Sequence, residues 1–214
     1  MFENKNFLAV IPARGGSTRL PRKNIRNLLG KPLISWTIES AKKSDFLDKI
    51  LISTDDDEIK NIAKDSNIEI HHRPVELSSE FSLIIETLKD IIVKYPGFNI
   101  LVLNPTSPIR DNTLIDECIR KFSENNYDSL ASGIYINYIP WPTSMKRSQD
   151  LDKYFIDNGA VYIYKESLIQ KNSLISKNFG IVTVHKHQYI DIDIEDDLKL
   201  ASLILSERVK HGLQ

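Results

Sequence analysis

Short apolar runs alternate with segments whose apolar positions recur at helical spacing, almost to the end of the chain. FLAVI (7–11) is continuously apolar, as a strand buried on both faces requires. KILIS (49–53), IEIHH, NILVLN (99–104), DSLASGIYIN, NGAVYIYK and FGIVTVHKH read as further strands. Between them, PLISWTIESAKKS opens on Pro32 and repeats Leu33, Ile34, Trp36, Ile38 and Ala41 as a helix does. DEIKNIAKDS sets Ile59, Ile62 and Ala63 on one helical face, and SLIIETLKDIIVKY, TLIDECIRKF and EDDLKLASLILSERVKH complete the set. Helices between buried strands imply right-handed crossovers and a mostly parallel α/β sheet with helices on both faces. The rhythm breaks at 137–158, NYIPWPTSMKRSQDLDKYFIDN, which reads as an excursion from the sheet.

With 214 residues, 41% of them hydrophobic, the chain suits one domain over 1–214, large enough to bury about 70% of its unfolded surface. The single cysteine, Cys118, leaves no internal disulfide and falls on the apolar side of its helix, where packing explains it. A net charge of −1 argues against general nucleic-acid binding. The first apolar run is too short for a signal peptide or a membrane span, so a cytoplasmic, membrane-free protein is expected.

Open sheets of this kind bind ligands at the carboxyl ends of their strands, which points to the loops after residues 11, 53, 71, 104 and 190. The first, IPARGGSTRLPRKN (11–24), gathers Arg14, Arg19, Arg22 and Lys23 beside Gly15, Gly16 and Ser17. Glycines let backbone N–H groups turn to an anion, several cations suit a polyphosphate, and Asn24 adds a hydrogen-bonding group. The loop has neither the G-x-G-x-x-G nor the P-loop spacing, and a solvated basic loop is the plain alternative. Near the other end, DIDIEDDL (191–198) puts Asp191 and Asp193 on one face of an extended segment. Two adjacent carboxylates suit a divalent cation such as Mg²⁺, whereas Asp196 and Asp197 read as helix-capping acids. A cation clamp with a divalent metal is the equipment of phosphoryl or nucleotidyl transfer, so the expected anion is a nucleoside triphosphate.

Asp55 to Asp57 read as caps and first-turn acids rather than ligands, Arg73 as an extra phosphate or base contact, and NPTSPIR (104–110) as a binding loop. His71 and His72 lack zinc-ligand spacing to His185 or His187, and no G-x-S-x-G elbow supports a serine nucleophile.

Together IPARGGSTRLPRKN, STDD, RPVELS, NPTSPIR, RSQDL, NGAVYI and DIDIEDDL make the chain resemble the acylneuraminate cytidylyltransferases over roughly residues 7 to 208. The resemblance implies a Rossmann-like fold and transfer of CMP from CTP to a nonulosonic sugar acid, with Mg²⁺ as cofactor and pyrophosphate released. It implies that Ala13, Arg14, Gly15, Gly16, Ser17, Lys23, Asn24 and Arg73 bind the nucleotide, Arg14 and Lys23 neutralising its phosphates. Asp191 and Asp193 would hold the metal, Asp193 aiding proton loss from the attacking hydroxyl, while Asn104, Arg147 and Gln149 would face the sugar. A homodimer built through 137–158 is also implied. Thr18 stands where many members carry Lys, with Arg19 beside it, and Asn104 stands where sialic acid enzymes carry Gln. A UTP- or GTP-using transferase acting on a sugar 1-phosphate and a non-catalytic nucleotide-binding protein are the alternatives.

Overall fold

The computed structural model describes residues 2–110, 113–138 and 147–210. A seven-stranded sheet runs in the order β5 (Glu69–His72), β4 (Lys49–Thr54), β1 (Asn6–Pro12), β6 (Phe98–Val102), β8 (Lys153–Tyr164), β7 (Ser129–Asn137), β9 (Phe179–Thr183). Neighbours are parallel except at β8, which runs antiparallel to both β6 and β7. A two-residue ribbon, β2 (Asn27–Leu28) with β3 (Lys31–Pro32), turns the chain after the first loop.

The period-2 pattern of β1 divides the interior. Phe7, Ala9 and Ile11 face a core closed by α1 (Leu33–Lys42), α2 (Asp57–Asp65) and α4 (Leu114–Glu124). Leu8 and Val10 face the opposite one, closed by α3 (Ile84–Lys94) and α5 (Glu166–Gln170). The last helix, α6 (Glu195–Lys210), sets Leu198, Ala201 and Leu205 against Leu20, Leu28, Leu33, Ile190 and Ile192. That third cluster fastens the first loop to the segment carrying Asp191 and Asp193. Cys118 is fully buried, and burial pushes its thiol well above its ordinary pKa.

The mostly parallel α/β architecture matches the sequence pattern, with one correction. Residues 153–158 do not leave the sheet: Tyr135 pairs with Phe155 and Asn137 with Lys153, so both arms of the excursion are strand. The alternation there is masked because Tyr135 and Tyr154 are exposed on paired strands and Tyr138 is exposed just beyond β7. Residues 139–146 of that expectation lie outside the described residues. The ribbon β2–β3 and the short α5 had no pattern long enough to read.

Candidate active site

The carboxyl ends of β1, β5 and β6 open onto a cavity of about 300 Å³ lined by Arg14, Ser17, Thr18, Arg19, Lys23, Asn24, Arg73, Ser79, Glu80, Ser82, Asn104 and Thr106. A second recess of about 360 Å³ is lined by Asn104, Asp157, Asn158, Gly159, Tyr162, Tyr189, Asp191 and Asp197. Asn104 belongs to both. The first carries several cations, whereas the second carries carboxylates and, among the described residues, no cation in its lining.

The first loop is held from behind. Gly15 N–H donates to Asp55 Oδ1 at 3.0 Å, Ala13 N–H to the Ser53 carbonyl at 2.9 Å, and Asn24 Nδ2 to the Arg14 carbonyl at 3.0 Å. Ala13 and Gly15 thus form the floor of the loop, whereas Gly16 is exposed; none of the three lines the cavity. Gly15 therefore does not turn its N–H to the cavity, because Asp55 already accepts it. Neither glycine has a positive φ, and a Cβ on Gly15 would come 2.5 Å from Asp56 Oδ2, whereas one on Gly16 would meet nothing within 4 Å. Gly15 is small because Asp56 packs there.

Arg22 turns the loop at φ 58° and spends its guanidinium on Asp56 and, at 2.9 Å, on Glu58. It is a strut, not a phosphate ligand, because its guanidinium is held by the N-cap and a first-turn carboxylate of α2. Asp56 also caps that helix, accepting from Glu58 N–H at 3.0 Å and Ile59 N–H at 3.1 Å. Burial disfavours its charge, but the bonds from Arg22 and the helix N–H groups outweigh this and hold the carboxyl below its ordinary pKa. Asp56 as the cap and Asp57 in the first turn act as the sequence suggested, whereas Asp55 instead anchors Gly15.

Arg73 is 9% exposed, and its Nε is buried without a hydrogen-bond partner. Burial lowers its pKa; Asp55 works against that shift and Arg14 with it. A guanidinium taken out of water next to another cation is costly unless an anion or an acceptor-rich ligand arrives. The strand behind it carries a buried relay: Ser53 Oγ lies 3.0 Å from His71 Nδ1, and His71 Nε2 lies 2.6 Å from Asp90 Oδ2. Ser53 is fully buried, so this Ser–His–Asp line fastens β4 and β5 to α3 and lines neither recess.

The wall between the recesses is fixed from beneath. Arg110 donates to the Ala160 carbonyl (2.9 Å), Thr37 Oγ1 (2.8 Å) and the Asn104 carbonyl (2.6 Å). Wholly surrounded by protein, it is pushed down to about 9 by burial. Arg110 is thus the clamp of its loop and not a ligand contact. Gly159 sits at φ +69°, where a Cβ would meet Ser107 Oγ at 2.7 Å.

At the far side, burial alternates from Ile190 to Asp193: the isoleucines are buried and Asp191 and Asp193 point outward, as the period-2 reading required. The backbone is pinned by Ile192 N–H to the Thr106 carbonyl (2.8 Å) and Asp193 N–H to Asp197 Oδ2 (2.9 Å). Asp193 accepts from Arg19 Nη1 at 2.6 Å and Lys23 Nζ at 2.9 Å. Asp191 lines the second recess, where Tyr162 donates to Asp157 and is raised in pKa by burial and then by that bond. Among the described residues no group of three or more His, Cys, Asp or Glu side chains is arranged to hold a metal. Two outward carboxylates nevertheless fit Mg²⁺, which takes one or two carboxylates and completes its shell with water and substrate phosphates.

The structure thus brings Arg14, Ser17, Lys23, Asn24, Arg73 and Asn104 to the first recess and Asp191 to the second, with Asp193 bonded to Arg19 and Lys23 of the first. Arg147 and Gln149 stay apart: both are exposed, line neither recess, and Arg147 Nε is bonded to Asp150 at 2.8 Å. Sequence reasoning passed over Ser79, Glu80 and Ser82 in the first recess and Asp157, Tyr162 and Tyr189 in the second. The strand-end rule had marked the loop after residue 71, and Tyr162 lies within NGAVYI, so a signal existed for both.

No helix among the described residues is long and apolar enough to cross a membrane. In fold the chain matches a CMP:2-keto-3-deoxy-manno-octonic acid synthetase solved in complex with CTP (TM-score 0.76, 14% identity, 95% of this chain and 100% of that one). It also matches a cytidylyltransferase from Leptospira borgpetersenii (TM-score 0.69, 17% identity, 98% and 96%). In sequence it is 27% identical to an N-acylneuraminate cytidylyltransferase of Oncorhynchus mykiss, over 93% of this chain and 50% of that protein. It is 29% identical to a pseudaminic acid cytidylyltransferase of Campylobacter jejuni, over 92% and 95%. An N-acylneuraminate cytidylyltransferase of Streptococcus agalactiae is 30% identical, over 89% and 51%. The chain therefore spans about half the length of the fish and streptococcal relatives and nearly all of the Campylobacter one. The cytidylyltransferase family model matches residues 8–203, and the chain belongs to that family.

Proposed function

We propose that this chain transfers the cytidylyl group of CTP to a nonulosonic sugar acid and releases pyrophosphate. The observation that carries the reading is Arg73, a buried guanidinium whose Nε has no partner, set with Arg14 and Lys23 in a cavity at the strand ends. In this reading Arg14 and Lys23 neutralise the triphosphate, Ser17 positions it, and Asn24 and Arg73 hold the nucleotide. The sugar acid occupies the second recess against Asn104. Its anomeric hydroxyl attacks the α-phosphorus, the bond to pyrophosphate breaks, and the hydroxyl proton passes to Asp193 or to a water that Asp193 orients. Asp191 and Asp193 would hold Mg²⁺, which when bound supplies charge neutralisation at the phosphates. Arg147 and Gln149 enter the reading only through movement of their turn or through a second subunit. A cytoplasmic homodimer, joined through the β7–β8 hairpin, belongs to the same reading; exposed Tyr135, Tyr138 and Tyr154 on that hairpin support it.

The test is pyrophosphate release with Mg²⁺, each of the four nucleoside triphosphates, and a panel of nonulosonic and octulosonic acids. CTP-dependent release with one nonulosonic acid, lost in Asp193→Ala, is expected. Release with UTP or GTP on a sugar 1-phosphate would replace the reading, and CTP binding without turnover of any acid would make the chain a nucleotide-binding protein.

A further inference from the structure

Asp193 is engaged by the same loop that lines the first recess. Its Oδ2 lies 2.6 Å from Arg19 Nη1 and its Oδ1 lies 2.9 Å from Lys23 Nζ, so each carboxylate oxygen carries a cation. A divalent ion approaching Asp193 in this state meets two positive charges at contact distance. A polyphosphate, by contrast, offers Arg19 and Lys23 several negative oxygens in place of one carboxylate.

The partners differ in mobility. The Arg19 side chain is 69% exposed and can swing, whereas that of Lys23 is 16% exposed and already faces the cavity. Asp193 stays where it is, because its N–H is held by Asp197 and the preceding residue by Thr106. The neighbouring acid, Glu195, is spent on Arg26 at 2.5 Å and does not compete for either cation.

We propose that the Arg19–Asp193–Lys23 bridge is a latch that keeps Asp193 from a divalent cation until a polyphosphate draws the two side chains away. The inference rests on the nucleotide reading of the first loop and adds a condition to it. The cation and the polyphosphate bind cooperatively, and not only because they bind each other in solution. Linkage makes the effect reciprocal: whatever loosens the bridge helps both ligands.

Two measurements test it without turnover. In the first, Mn²⁺ binding to nucleotide-free protein is followed by electron paramagnetic resonance. Arg19→Ala should tighten it by roughly 2- to 5-fold, and Arg19→Ala/Asp193→Asn should lose the gain. An unchanged Mn²⁺ affinity in Arg19→Ala overturns the latch. In the second, inorganic tripolyphosphate and CTP are titrated by calorimetry with EDTA present. Asp193→Asn should bind tripolyphosphate roughly 5- to 20-fold more tightly than the native protein, because Arg19 and Lys23 are released. Asp191→Asn removes the same charge without touching the bridge and should change the affinity less than about twofold. Equal gains in the two variants would reduce the effect to overall charge and overturn the latch. Native protein that takes tripolyphosphate as described but not CTP would overturn the cytidylyl reading and leave the latch standing.

Discussion

Arg73 should weigh oppositely on stability and on binding. Its guanidinium is buried with Nε unpartnered, Arg14 adds repulsion, and the Asp55 carboxylate that attracts it is already bonded to Gly15. An unsatisfied buried polar group costs about 1–3 kcal/mol, more when charged, and an apolar replacement of similar volume recovers part of that. Arg73→Met keeps the backbone bond from Arg73 N–H to the Thr54 carbonyl (3.0 Å), so the strand end survives. A gain of about 2 kcal/mol is expected in the nucleotide-free protein, which for a domain of this size raises Tm by about 4–8 °C. CTP should lose a charge-assisted bond of about 1.5–3 kcal/mol, weakening its Kd by roughly 10- to 150-fold. Thermal unfolding by circular dichroism, with and without saturating CTP, reads both signs at once, since ligand stabilisation scales with affinity. A variant that melts below the native protein and still binds CTP normally would refute the assignment of Arg73 as an unsatisfied ligand group.

Two further outcomes follow from the supports of the site. His71 has its pKa lowered from 6.5, first by burial, with Asp90 opposing the shift and Lys94 and Arg73 adding to it. The unfolded chain therefore takes up a proton as the pH falls through about 6.5 while folded His71 does not. Stability should accordingly decline below that pH, by at most about 1.4 kcal/mol per unit, until His71 itself protonates. Denaturant titrations across pH 5–8 should show this slope in native protein and its loss in His71→Asn. At the first loop, Gly15→Ala forces a Cβ onto Asp56 and should displace the Arg22 strut, lowering both Tm and CTP affinity, while Gly16→Ala should leave both nearly unchanged. Equal tolerance at the two positions, measured by melting and calorimetry, would refute the packing argument.

The sheet and the strand-end location of the cleft were legible because buried parallel strands leave long apolar runs that no solvent-facing element imitates. The cations of the first loop were legible as a group but not individually. Arg22 and Arg14 look alike in IPARGGSTRLPRKN, and only the three-dimensional placement of Asp56 and Glu58 makes the first a strut. Arg110 and Arg73 likewise exchange appearances. Both follow strands, yet one is saturated by neutral acceptors and the other has a buried nitrogen left over. Partner counting of that kind requires contacts far apart in sequence, as between Arg19 and Asp193, 174 residues away. The second recess was legible only in part: Asn104 and Asp191 stood out, whereas Asp157, Tyr162 and Tyr189 come from separate stretches whose convergence the sequence does not display.

The partition between the two recesses is a side chain on an independently braced backbone. Arg110 holds the carbonyl of residue 104 from below without engaging its amide, so that side chain can be exchanged while the floor stays put. On the proposed function, a lineage under pressure to accept a different acceptor molecule can alter one codon there and leave the cation-rich compartment untouched. Substrate range can then diversify faster than donor choice, and a saturation library at position 104 is the economical place to begin redesign.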